Sequence, residues 1–330
     1  MRIAVIGGGS WGTALSNLLA KKGNSVGLWV LERELVAEMH KWHENSWYLP
    51  GIPLVKSLIP SNDLAEVLKG VTVVLMAVPS QHIRTTYGRM REFLPKKPVI
   101  ICASKGNEVQ RLRTMSQIAE EELDGFNPIF AMLSGPSFAV EVARGLPTAI
   151  VLSCLAKKYC RELQKLFATD SFRVYINSDV RGVELGGAVK NIVAIAVGIV
   201  DSLGFGYNAR AALITRGLAE MGRLGRAMGG KLSTFMGLSA MGDLVLTCTG
   251  ELSRNRQVGL LLGQGQMLQD IMAAMKTVAE GIKTTEAVYI LGRQFKVELP
   301  ITAAVYNILY EGKDPQKTMK ELMTRALKEE

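Results

Sequence analysis

The sequence predicts an α/β domain with a mostly parallel sheet over residues 1–180, followed by an all-α domain over residues 181–330. Three observations carry this prediction. A strand, a glycine turn and a helix follow one another within the first 22 residues. β-rich apolar runs ending in small and polar residues then recur, with helical stretches between them. After Asp179 the strand pattern stops and helical segments separated by glycines take over.

The opening element is Ile3 to Ile6, four β-favouring residues that run into Gly7-Gly8-Gly9-Ser10-Trp11-Gly12. Leu15, Leu18, Leu19 and Lys22 follow at helical spacing. Gly7, Gly9 and Gly12 stand in the GxGxxG arrangement: the first permits a tight turn, the second lets backbone approach a pyrophosphate, and the third lets helix and strand pack closely. The helix N-terminus then presents unsatisfied N–H groups and the positive end of its dipole. Lys21-Lys22-Gly23 closes the helix with basic residues and a capping glycine before a second β-type run, Val26 to Val30. Glu32 lies 20 residues beyond Gly12, where an acidic side chain accepts the hydroxyls of an adenosine ribose. This context favours a dinucleotide site in a Rossmann-like unit over a purely structural turn.

A helix is expected from Glu32 to about Trp42, then a loop over residues 45–53, where Pro50, Gly51 and Pro53 interrupt any regular pattern. The aromatic residues of this loop, Trp47 and Tyr48, read as packing or as a cover for the cofactor. Asp63 with Glu66 resembles a capping box for a short helix ending near Gly70. Three continuous β-rich runs come next: Val71 to Val78, Val99 to Ala103 and Ile129 to Leu133. Ligands bind beyond the carboxyl ends of such strands, so their exits are the places to look for chemistry, and Lys105 is the cation standing at one of them. Thr148 to Leu152 and Phe172 to Ile176 complete the sheet, with a helix over Lys157 to Phe167 between them.

Composition narrows the classes of function. The 330 residues are 48% hydrophobic and 21% charged, as in a globular protein with a sizeable core. The short apolar run before the first glycine and the lack of an uninterrupted span of ~18 apolar residues argue against a signal peptide or membrane insertion, so a cytoplasmic location is expected. Cys102, Cys154, Cys160 and Cys248 form no CxxC pair and read as reduced, buried thiols. His40 and His43 share a helix face without a third ligand, so no metal is expected. The net charge is +9, from 39 basic and 30 acidic residues, but the basic residues are dispersed and do not alternate with aromatics. That distribution argues against nucleic acid and suits a small phosphorylated ligand.

The second domain contains the most unusual residue. Gly186 to Val200 is apolar on every face and therefore expected inside the protein, yet it carries Lys190 followed by Asn191. Burial disfavours an ammonium and lowers its pKa toward the range of useful proton exchange, which marks Lys190 as a candidate acid–base group rather than a snorkelling surface lysine. Further on, Ser253-Arg254-Asn255 combines a guanidinium fork with neutral donors at a helix start, with Ser253 as the N-cap. This is an anion clamp suited to phosphate.

With these pieces assembled, the chain resembles the bacterial NAD(P)-dependent glycerol-3-phosphate dehydrogenases over nearly its whole length. The motifs are Gly-x-Gly-Ser-Trp-Gly-Thr-Ala at 7–14, Leu-Ser-Gly-Pro-Ser-Phe-Ala at 133–139, Gly-Gly-Ala-Val-Lys-Asn at 186–191, Gly-Asp-Leu at 242–244, Leu-Thr-Cys-Thr at 246–249, Ser-Arg-Asn-Arg at 253–256 and Val-Ala-Glu-Gly at 278–281. The resemblance implies reversible hydride transfer between NAD(P)H and dihydroxyacetone phosphate, giving sn-glycerol 3-phosphate for phospholipid synthesis. It implies cofactor contacts from Ser10, Trp11, Lys105, Ala139, Arg254 and Glu280 beside those read from Gly7, Gly9, Gly12 and Glu32. It implies that Lys190 exchanges the proton with Lys105 as the second active-site lysine, and that Gly135, Ser137, Asp243, Ser253, Arg254 and Asn255 also contact substrate. The chain departs from many relatives, which carry a histidine or arginine at the end of the second strand where this one has Leu31-Glu32-Arg33. Glu32 repels the 2′-phosphate of NADP and Arg33 attracts it, so both cofactors stay in play. A homodimer through the helical half is the oligomeric expectation, with no residue pattern behind it. The alternative enzyme is another two-domain NAD(P)-dependent hydroxyacid or sugar-acid dehydrogenase, which a substrate panel separates. A catalytically silent nucleotide sensor is the third reading, marked by salt-sensitive DNA retention without turnover.

Overall fold

A computed structural model describes residues 1–275 and 279–326, so Val278 of the last motif lies outside the described residues. The chain divides into two compact units: residues 1–105 with 113–183, and residues 106–112 with 184–330.

The first unit is built on ten strands: β1 (Arg2–Ile6), β2 (Ser25–Trp29), β3 (Glu44–Asn45), β4 (Leu49–Pro53), β5 (Leu58–Ser61), β6 (Val73–Met76), β7 (Val99–Cys102), β8 (Ile129–Ser134), β9 (Thr148–Cys154) and β10 (Phe172–Asn177). Eight form one sheet in the order β10-β9-β8-β7-β6-β1-β2-β5, parallel except between β8 and β9. All four residues of β6 and four of the five in β1 are buried, which is why these strands read as continuous apolar runs. The order changes direction beside β1, so its carboxyl end and the glycine turn lie at the topological switch point where such sheets take ligands.

The helix Ser10–Lys21 ends as its sequence signals. Gly23 has φ +86°, and its N–H donates to Ala20 O at 2.9 Å while Lys22 N–H donates to Leu18 O at 3.2 Å. Asp63 caps the helix Leu64–Leu68 by accepting from Ala65 N–H at 2.9 Å. The reciprocal half of the expected capping box is not made: Glu66 instead accepts from the Ser61 hydroxyl at 2.5 Å.

Two segments correct the sequence reading. The stretch expected as a loop over 45–53 is mostly an antiparallel hairpin of β3 and β4. Its prolines do not prevent pairing because the ribbon is two-stranded, and Gly51, with φ +74°, lies in β4 opposite the register irregularity between Glu44 and Asn45. Tertiary contacts hold it: Asn17 Nδ2 donates to Pro53 O at 3.1 Å, Asn17 Oδ1 accepts from Val55 N–H at 3.0 Å, and Leu49 and Ile52 pack against Ala14. The second is β5, a strand that the sequence reading did not identify and that has Pro60 within it. As an edge strand with one neighbour it tolerates the missing donor.

Apart from residues 106–112, the described part of the second unit is mainly helical. Its axis is the helix Val180–Ser202, in which every residue from Gly182 to Val200 is buried. Length and composition alone would let this helix cross a membrane, but its apolar window is buried within the protein, as in a core helix. The helix Arg254–Gly263 crosses it with backbones in contact. A Cβ on Gly198 would stand 2.1 Å from Arg256 O, and one on Gly259 would stand 2.1 Å from Ile195 O. Only glycine fits either place. All four cysteines of the chain are unpaired and buried, as expected.

One buried acid in this unit is a structural cap. Glu220, on the helix Gly206–Ala227, accepts from the N–H groups of Ile301 at 2.5 Å and Thr302 at 3.2 Å, at the start of the helix Pro300–Tyr310. Burial raises its pKa from 4.5 to about 7, against the opposing pull of those donors. Between these two values the folded protein holds a proton that the unfolded chain has released, so this group's contribution to stability falls as pH rises through that window and is level above it. Glu220→Gln is therefore expected to flatten the unfolding midpoint against pH over this range. Superimposable wild-type and variant profiles would count against the assignment.

Candidate active site

In the first unit the glycine turn has the shape that its spacing implies. Gly7 has φ +122°, and a Cβ there would stand 2.7 Å from Ala77 O. A Cβ on Gly12 would stand 1.9 Å from Gly7 O, so helix and turn are in direct backbone contact. Gly9 differs: φ is −68° and nothing lies within 4 Å of its Cβ position. Neither conformation nor packing requires glycine at this position, whereas a ligand lying against the backbone does. Gly9 is also the N-cap of the helix that begins at Ser10, with no side-chain cap and no acidic residue in the first turn, which leaves the end to an anion. Trp11 Nε1 is buried with no partner among the described residues. These features fit a dinucleotide phosphate on the turn.

Glu32 stands at the end of β2 as the N-cap of the helix Arg33–Trp42, and its Oε1 accepts from the Tyr48 hydroxyl at 2.8 Å. Burial first, then the neighbouring carboxylate, pushes the Tyr48 phenol up to about 12, so it remains a donor at neutral pH. Ala139 opens the helix Ala139–Ala143 and packs with Trp11 against Leu49, Ile52 and Ala14. At the strand exits, Lys105 Nζ and Ser137 Oγ both donate to Gly135 O, each at 3.0 Å. Two predicted site residues thus converge on the carbonyl of a third.

In the second unit the predicted solitary amine has partners. Lys190 is 7% exposed, and its Nζ donates to Asp243 Oδ1 at 2.6 Å and to Thr247 Oγ1 at 2.7 Å. Thr247 in turn donates to Asp243 O at 2.6 Å. The expectation of a solitary amine is corrected: a carboxylate and a hydroxyl are in contact with it. Asp243 was expected as a substrate contact; the residue is itself 1% exposed and its carboxylate is engaged with the lysine. It opens the helix Asp243–Thr249 directly after the π-helical turn Leu238–Gly242, the kind of irregularity that re-aims side chains at functional sites. Cys248, adjacent in sequence, is pushed up to about 12 by burial and stays a thiol.

Ser253 caps the helix Arg254–Gly263, accepting from Arg256 N–H at 3.2 Å. Arg254, the first helical residue, is exposed at the surface. Partial desolvation of the guanidinium draws its pKa below the ordinary value and the Glu280 charge opposes this; an arginine still keeps its charge. Asn255 is fixed on both sides: Nδ2 donates to Asn191 Oδ1 at 2.9 Å and Oδ1 accepts from Gly281 N–H at 2.9 Å. One amide hydrogen remains for a ligand.

Sequence reasoning did not single out Thr247 as a site residue, nor Asn191 beyond its place after Lys190. Thr247 stands four residues after Asp243, one helical turn on, and that spacing was the available signal. Among the described residues no group of three His, Cys, Asp or Glu side chains is placed to hold a metal ion.

Comparison with known proteins follows the same division. Residues 2–160 match the family profile of the NAD-dependent glycerol-3-phosphate dehydrogenase N-terminus, and residues 179–320 match that of the C-terminus. The chain is 60% identical over 330 residues to a glycerol-3-phosphate dehydrogenase [NAD(P)+] of Solidesulfovibrio magneticus, with all of both chains covered. It is 56% identical to one of Oleidesulfovibrio alaskensis, again over all of both. The crystal structure of glycerol-3-phosphate dehydrogenase from Coxiella burnetii is similar with a TM-score of 0.94 at 44% identity, covering 98% of each chain.

Proposed function

Because the chain belongs to the NAD-dependent glycerol-3-phosphate dehydrogenase family, we propose that its two groups of site residues divide one reaction between them. That reaction is the reversible reduction of dihydroxyacetone phosphate to sn-glycerol 3-phosphate with NAD(P)H. The reduced nicotinamide, when bound, supplies the hydride. The first unit holds the dinucleotide: the backbone around Gly7, Gly9 and Gly12 and the helix end at Ser10 and Trp11 take the phosphates, and Glu32 takes a ribose. Lys105, Gly135 and Ser137, joined at one carbonyl, are the residues of that unit that this reading assigns to the substrate.

The second unit handles the proton and the phosphate. Reduction of a ketone builds negative charge on its oxygen, and a positioned ammonium lowers the energy of that state. Lys190 Nζ donates to this oxygen and then transfers its proton, leaving a neutral amine beside Asp243 and the carbinol on the product; the amine regains a proton from water. In the reverse direction the same amine is the base. Asp243 and Thr247 restrict where Nζ points, and Asn255, held by Asn191 and Gly281, aims its remaining N–H. Arg254 and the capped helix end at Ser253 bind the substrate phosphate, which orients the carbonyl. The observation that carries this reading is the buried Lys190 amine with a carboxylate at 2.6 Å. The same reading places the enzyme in the cytoplasm, supplying phospholipid synthesis.

The test is oxidation of NADH and of NADPH by the purified protein with dihydroxyacetone phosphate. Turnover is expected, and the ratio of kcat/KM for the two reduced cofactors measures the choice between Glu32 and Arg33. Arg254→Ala is expected to raise KM for dihydroxyacetone phosphate about 10- to 100-fold, the range for losing a charge-assisted hydrogen bond, and to leave KM for unphosphorylated dihydroxyacetone nearly unchanged. No turnover with either cofactor, or equal loss for both substrates, contradicts the reading.

A further inference from the structure

Resting on the dinucleotide reading of the first unit, we infer that the hairpin Glu44–Pro53 is a brace that presets the cofactor site, with Asn45 and Tyr48 as its positioning residues. The hairpin reaches several of the predicted cofactor contacts by separate means. Asn45 is fully buried, and its Nδ2 donates to Gly8 O at 2.7 Å and to Thr13 Oγ1 at 2.8 Å. Thr13 Oγ1 donates to the same Gly8 carbonyl at 3.2 Å. The middle residue of the glycine turn is thereby tied from one side, with its carbonyl committed to protein donors. Asn45 Oδ1 accepts from Tyr48 N–H at 3.0 Å, which joins this tie to the next one. Tyr48 Oη donates to Glu32 Oε1 at 2.8 Å and orients the carboxylate expected to meet the ribose. Leu49 and Ile52 provide the apolar face against which Trp11 and Ala139 pack.

The physical case is one of preorganisation. A glycine turn has wide conformational freedom, and a ligand that must freeze it loses affinity to the entropy of doing so. A buried amide that already fixes the turn removes that cost before the ligand arrives. The same holds for a carboxylate whose rotamer is set by a phenol: one oxygen is engaged and the other remains to accept ribose hydroxyls.

The experiment titrates NADH, NADPH and reduced nicotinamide mononucleotide, which lacks the adenosine half, into the full chain and its Asn45→Ala and Tyr48→Phe variants by isothermal calorimetry. Thermal unfolding of each variant is followed alongside. Asn45→Ala is expected to weaken NADH and NADPH about tenfold or more, with kcat at saturating cofactor held within about twofold. Tyr48→Phe keeps the ring and is expected to weaken NADH about three- to tenfold while leaving the mononucleotide unchanged, because Glu32 serves the adenosine ribose. Wild-type NADH affinity in both variants overturns the brace. Equal loss for NADH and the mononucleotide in Tyr48→Phe overturns the link through Glu32. Should Asn45→Ala fail to fold, Tyr48→Phe decides between these outcomes. A wild-type protein that does not bind NADH sinks the dinucleotide reading itself, a result distinct from variants that bind as the wild type does.

Discussion

Lys190→Ala is expected to lower kcat about 10²- to 10⁴-fold, the range for losing a positioned proton donor, while the affinity for NADH is kept because the glycine turn is intact. The substitution also removes the ammonium in contact with the buried Asp243 carboxylate, so some loss of stability accompanies it. Two measurements separate these effects. Added methylamine should restore part of the rate if the missing group is an amine, and the double variant Lys190→Ala with Asp243→Asn should recover unfolding midpoint without recovering rate. A Lys190→Ala protein with wild-type kcat would leave the lysine as a structural ion pair and remove the proposed mechanism.

Gly12→Ala is expected to have the next largest effect. The added methyl would stand 1.9 Å from Gly7 O, backbone against backbone, so the helix and the turn must part. NADH affinity should fall about 100-fold or more, with a marked loss of thermal stability. Gly9→Ala is the informative contrast, since its φ of −68° suits alanine and the position is open for 4 Å around. It should keep the unfolding midpoint within a degree or two, as expected of an unstrained surface change, yet still weaken NADH because the methyl occupies the line of approach to the backbone. Unchanged NADH affinity in Gly9→Ala would mean that no ligand lies against that position.

The parts of the fold that were legible in the sequence are those set by local chemistry. The glycine turn, the cap at Gly23, the N-cap at Ser253 and the buried strands each depend on residues within a few positions of one another. The parts missed depend on distant partners. The 44–53 hairpin is held by Asn17 and by packing on Ala14, and its prolines disguised it as irregular chain. β5 carries Pro60, which only an edge position forgives. Lys190 looked isolated because its carboxylate partner lies 53 positions away, and Asn45 meets Gly8 across 37. Local pattern marks a residue as unusual; its partner has to be seen in three dimensions.

The glycine crossing between Val180–Ser202 and Arg254–Gly263 bears on how this enzyme can diversify. The helix carrying Lys190 and the helix carrying Arg254, the proposed anion clamp, meet at Gly198 and Gly259, where neither contributes a side chain. Mutation ordinarily retunes a spacing by trimming or enlarging the groups in between, and here no such material exists. On the proposed roles, the separation of proton donor and phosphate anchor is therefore set by a backbone contact, and a variant adapted to a longer or shorter substrate has to change the flanking walls instead.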